Sequence, residues 1–150
     1  MIYLLAILIG LAAGLRTMTP LAAISWGAWL GWIDLGGTPV AFLGNIIAVI
    51  ILTLLAIVEF ITDQLPQTPS RTVPVQFGTR IVIGAIAGAL LMPTSWVIGA
   101  LLGGVGAVIG TLAGAKARAS LARSFGRDRP AALIEDVVAV ALAFLVVYLA

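Results

Sequence analysis

The chain has 150 residues, of which 62% are apolar and only 9% charged, with a mean hydropathy of +1.21 and a net charge of +2. Soluble domains carry about a quarter charged residues, so this composition indicates an integral membrane protein with room for five or six short crossings and no soluble domain of any size. It has no cysteine and no histidine, which excludes disulfides, thiolate chemistry, imidazole metal ligands and Ser/His or Cys/His nucleophile pairs. Neither an enzyme nor a cofactor is expected, and a net charge this small gives no basic surface for nucleic acid.

Residues 2–14 are apolar, with Ala6, Gly10 and Gly14 at four-residue spacing, a stripe that admits a close neighbouring helix. The N-terminus lacks the basic region of a signal peptide and reads as a mature membrane segment. The run stops at Gly14-Leu15-Arg16-Thr17-Met18-Thr19-Pro20. An arginine at the bilayer centre costs roughly 2.5–3.5 kcal/mol, which places Arg16 at a turning point near one membrane face. Residues 20–33 form a second apolar segment with Trp26, Trp29 and Trp32 near its far end, followed by a turn over 34–39. The rival reading is one kinked helix over 2–33, giving five crossings instead of six.

A spanning helix is expected over 41–62, with Asn45, Val49, Leu52, Ala56, Glu59 and Asp63 along one side. Residues 77–92 read as a short crossing with Arg80, Gly84 and Gly88 on one stripe, closed by Pro93. Residues 96–115 carry Gly99, Gly103, Gly106, Gly110 and Gly114, a glycine zipper suited to close packing or homodimerisation. A basic loop is expected from Lys116 to Pro130, and a last crossing over 131–150 with Glu135 and Asp136 in its first turns.

Six crossings put all eight Lys and Arg residues on one face, which the positive-inside rule makes cytoplasmic, with both termini outside. All four Trp and both Tyr residues then fall at the outer interface. Ile9-Gly10 and Ala13-Gly14 recur as Ile83-Gly84 and Ala87-Gly88, which raises the prospect of two inverted three-helix repeats, 1–65 and 77–150, within a single domain. Matches of so few common residues also arise by chance in Gly- and Ala-rich helices.

The polar stretch from Glu59 to Thr72 holds most of the chemistry. Glu59 and Asp63 lie four apart on one helix face, where like charges need an arginine partner, a bound cation or a raised pKa. Arg16, Arg71 and Arg80 are expected on the same side of the membrane and could serve as partners. The plain reading is an ion pair that fixes the bundle; the sharper one is a proton- or cation-coupled site. Thr68, Ser70, Arg71 and Thr72, between Pro66, Pro69 and Pro74, could hold a phosphate or carboxylate such as a lipid headgroup, or simply form a connector. The 116–129 loop could contact anionic lipids, and Asp136, on a face with Ala132, Ala139 and Ala143, is the better buried candidate of the Glu135-Asp136 pair.

Gly14-Leu15-Arg16 with Pro20, then Glu59-Phe60 with Asp63, Leu65-Pro66 and Thr68-Pro69-Ser70-Arg71-Thr72, resemble the small bacterial membrane proteins grouped as domain of unknown function 4126; Gly126-Arg127-Asp128 and Glu135-Asp136 add to the likeness. The loop between Pro66 and Arg80 looks shorter than in that family. The resemblance implies an integral membrane protein and no established activity. The expected function is a small transporter or channel-like protein of a bacterial inner membrane, a homodimer passing an ion or small solute near Arg16, Asn45, Glu59, Asp63, Arg80 and Asp136. The alternative is a non-transporting protein that binds anionic headgroups or a membrane partner.

Overall fold

In the computed structural model, which describes residues 1–150, glycine spacing decides how the helices meet. The helices are α1 (Ile2–Leu15), α2 (Thr19–Trp29), α3 (Ile46–Thr62), α4 (Pro74–Leu91), α5 (Trp96–Phe125) and α6 (Asp128–Leu149), with short 3-10 turns at Ala41–Gly44 and Pro93–Ser95. There is no strand. At 1.5 Å per residue, the 30 residues of α5 reach about 45 Å, which makes it the longest element.

α1 and α4 flank α5. Gly106 and Gly110 of α5 lie against Ile7 and Leu11 of α1, so these two helices run parallel; Gly99 and Gly103 lie against Gly88 and Gly84 of α4, so that pair is antiparallel. A Cβ on Gly10, Gly84, Gly88, Gly99, Gly103 or Gly106 would overlap the backbone of the facing helix. The glycines of α5 are therefore occupied inside the chain, against α1 and α4. The recurring pairs Gly10/Gly14 and Gly84/Gly88 both face this one helix.

The remaining helices complete an up-and-down arrangement. Arg16 at the end of α1 meets Asp136 near the start of α6, so α1 and α6 are antiparallel. Trp26 Nε1 in α2 donates to Thr53 Oγ1 in α3 at 3.0 Å, while the amides just before α2 reach Glu59 near the end of α3, so α2 and α3 are antiparallel too. α2 runs alongside α6, with Thr19 and Val140 on one cavity and Gly27 against Val147. Leu5, Ile9, Ala23, Ile24, Ala143, Val146 and Val147 form the apolar core at the end where both termini lie. At that end Trp32 meets Tyr148 edge to face, with ring centroids 5.3 Å apart.

Several expected boundaries are corrected. The chain breaks between α1 and α2, where Arg16 is extended (φ −140°, ψ 121°), so no single helix runs over 2–33. α2 ends at Trp29, and Gly31 follows in the left-handed region. α3 begins at Ile46 because the Asn45 side chain accepts from the Ile47 amide at 2.9 Å and caps it. α4 begins earlier than expected, with Pro74 in its first turn. The basic segment after residue 115 is helical as far as Phe125, since Lys, Arg, Ala and Leu favour a helix and no breaker occurs before Gly126, whose φ of 73° ends it. α6 starts at Asp128, leaving a loop of two residues where a basic loop of about fifteen was expected.

α4, α5 and α6 are long and apolar enough to cross a membrane; α1 and α3 are apolar but shorter, with 14 and 17 residues. Exposed Leu101, Val137, Ile47 and Leu54 give the outside an apolar surface, as hydrocarbon surroundings require.

The close α4–α5 approach makes a specific demand. Gly103→Ala places a methyl against the Gly84 carbonyl and should cost at least about 2 kcal/mol. The neighbouring Gly104→Ala meets only Ile81 and Ala85 side chains at 3.8 and 3.9 Å and should be tolerated. Monodispersity in detergent after stepwise heating distinguishes the two.

Candidate functional site

The break between α1 and α2 leaves backbone groups without helical partners, and those groups set the site. The amides of Thr17 and Met18 donate to the two oxygens of Glu59 at 2.7 and 2.8 Å. The carbonyls of Gly14 and Leu15 accept from Arg80 Nη1 at 2.9 and 3.0 Å. A carboxylate from α3 and a guanidinium from α4 thus satisfy donors and acceptors that would otherwise be buried unpaired.

The Arg16 side chain, fully buried, points into a cradle of carboxylates. Its Nε donates to Asp136, its Nη1 lies 2.6 Å from Asp63 Oδ2, and its Nη2 lies 3.7 Å from Glu135. The Phe60 ring covers the guanidinium, its centroid 5.9 Å from Cζ. Arg71, from the segment between α3 and α4, grips Glu135 with both Nη groups, one at 2.7 Å. Arg118 of α5 bonds Asp63, holds Asp128 at 2.5 and 2.9 Å, and reaches Glu135 at 3.4 Å. Gly114 makes space for this: a Cβ there would come within 3.1 Å of Arg71 and 3.3 Å of Glu135.

Four arginines therefore face four largely buried carboxylates, Glu59, Asp63, Glu135 and Asp136, with Asp128 at the exposed rim. In surroundings where an isolated charge would be costly, the group is balanced. Burial raises the pKa of Asp63, one residue beyond α3, but Arg16 and Arg118 outweigh that and hold it below the ordinary carboxylate value.

Of the residues expected at a site, Arg16, Glu59, Asp63, Arg80 and Asp136 come together, and Arg71 joins them. Asn45 does not: it caps the far end of α3. Thr68 donates to the Thr62 carbonyl, and Ser70 pairs with Thr72 at 2.9 Å. Thr68, Ser70 and Arg71 line an open cavity of about 390 Å³ with Asp63, Arg118 and Asp128. Both of its arginines are already bonded to carboxylates.

Glu135 is as buried as Asp136, which corrects the preference for Asp136 alone, and Arg118 and Asp128 join the group unforeseen. A signal for Arg118 was present: extending the Gly106-Gly110-Gly114 spacing by four residues reaches position 118, once the segment is read as helix.

An all-helical chain with an apolar exterior and a compensated ion cluster at one end defines a small multi-helix membrane protein. Consistent with this class, the family model described as Domain of unknown function (DUF4126) matches residues 3–150, and the chain belongs to that family. No curated protein and no solved structure matches it.

Asp63→Asn removes one carboxylate from two guanidiniums and should destabilise the fold by about 3–5 kcal/mol at neutral pH. Because folding lowers the Asp63 pKa, its contribution is present above the unfolded value of about 3.9 and is lost as pH falls through the folded value. The stability gap between wild type and Asp63→Asn should therefore narrow in acid, measured by denaturation in detergent across pH 7 to 3.

Proposed function

We propose that this protein is a small transporter or channel-like protein for an ion or small solute, with the ion cluster closing the cytoplasmic end of its pathway. The observation that carries the reading is the linkage of the α1–α2 break, α5, α6 and the 63–73 segment through arginine–carboxylate pairs, with α3 bonded to the break through Glu59 and α4 through Arg80. Such pairs are discrete contacts that can exchange partners, and opening them would release several helices together. A broken α1–α2 element beside the cluster fits the use of interrupted helices at transport sites.

On this reading all six helices cross a bacterial inner membrane, thinned or tilted around the short α1 and α2. The ion cluster is cytoplasmic, and the Trp32–Tyr148 end is outside. α1 runs parallel to α5 and α4 antiparallel to it, so α1 and α4 are opposed in direction, which supports residues 1–65 and 77–150 as inverted halves. A homodimer supplies the rest of an enclosure that 150 residues are too few to form.

A second reading, anionic headgroup or partner binding without transport, draws on the exposed Arg123, Arg127 and Arg129 at the cluster end.

The test is flux of protons and common ions into proteoliposomes, comparing wild type with the Glu59→Gln, Asp63→Asn double variant. Wild-type flux well above that of empty vesicles, changed at least about tenfold in an assembled variant, is the expected result. Wild-type flux equal to that of empty vesicles for every ion tested would move the reading to headgroup or partner binding.

A further inference from the structure

Arg80 differs from the other three arginines of the cluster. Arg16, Arg71 and Arg118 each make a hydrogen bond to a carboxylate, whereas Arg80 donates only to the Gly14 and Leu15 carbonyls, through Nη1. Its Nη2 stands 3.9 Å from Glu59 Oε1, and its Nε has no partner although the side chain is only 4% exposed. Glu59 is itself engaged, both oxygens accepting backbone amides. Nε and Nη2 are thus left without a hydrogen bond; Nε is enclosed by protein, and Nη2 is the unbonded donor that is not. Nη2 can donate a charge-assisted hydrogen bond to an oxyanion.

The same side chain lines a cavity of about 280 Å³ between α3 and α4, two helices that barely touch. Leu55, Val58, Glu59 and Thr62 contribute from α3, and Gln76 and Thr79 from α4, with Thr17 and Met18 from the break. The Thr79 hydroxyl is committed to the Val75 carbonyl at 2.8 Å, which leaves the Gln76 amide and the Thr17 hydroxyl as the uncommitted donors beside Arg80. Asp63, also on the wall, is compensated by Arg16 and Arg118.

We propose that this cavity binds an oxyanion of the phosphate or phosphodiester class, held by Arg80 with hydrogen bonds from Gln76 and Thr17. Leu55 and Val58 are exposed at the α3 wall, so the anion can be a free phosphate or the headgroup of a lipid whose chains lie along the helices. Binding does not depend on transport: it is an equilibrium property of the folded chain.

The experiment is calorimetric titration of the purified full chain in a non-ionic detergent. One arm uses inorganic phosphate and the other short-chain phosphatidylglycerol. Saturable binding near one per chain is expected for at least one probe; phosphate binding identifies a free anion, and binding of the lipid alone identifies a headgroup. Gln76→Ala should weaken binding about tenfold, and Glu59→Gln, which removes the carboxylate facing the anion, should tighten it. Gln76 is half-buried and makes no hydrogen bond of its own, so its replacement keeps the test valid where Arg80→Gln fails to fold. Absence of saturable binding for both probes overturns the proposal, as does binding that neither Gln76→Ala nor Glu59→Gln changes.

Discussion

The structure depends on the burial of one arginine. Arg16 sits where the first helix breaks, fully enclosed, and an uncompensated guanidinium there would cost far more than any single packing contact returns. Asp63, Asp136 and Glu135 answer it from two other helical elements. Those carboxylates then need Arg118 and Arg71, which draws in α5 and the segment after α3. The requirement for charge balance thus propagates outward from a single position until five of the chain's six acidic residues are in use.

Backbone chemistry and side-chain chemistry meet at the same place. The break that puts Arg16 in the interior also strands two amides and two carbonyls, and Glu59 and Arg80 satisfy them. Glu59 therefore acts mainly as a cap for the start of α2, and Arg80 as a cap for the end of α1. This leaves Arg80 the least neutralised cation of the group, beside the gap between α3 and α4.

At the other level of organisation, small residues set the distance between helices. α5 presents glycine to α1 on one side and α4 on the other, so backbones touch and dispersion contacts replace the hydrophobic effect, which gives little drive between helices in lipid. α3 has no such stripe. It buries only Val49 and Ala56 and is held chiefly through α2 and through its charged end. α3 is therefore less tightly packed than the α1–α4–α5 core, and the ion cluster lies between them.

Composition and patterning by themselves determined the class, the polar centre over residues 59–72 and the stripes of small residues, and pointed to a turn at Arg16 without excluding one kinked helix over 2–33. These follow from local chemistry: hydrocarbon excludes charge, proline and glycine interrupt helices, and a period of 3.6 collects side chains on faces. Only the tertiary structure decided which charge answers which. Asp136 and Arg16 are 120 residues apart, and nothing in local spacing pairs them rather than Asp136 and Arg80. Glu135 could be recognised as buried, and Arg118 as a partner, only once α5 was seen to continue past Lys116 and bring position 118 beside Asp63. A helix terminus is a small local free-energy difference, and here its position decides whether an arginine lies in solvent or in the centre of the site.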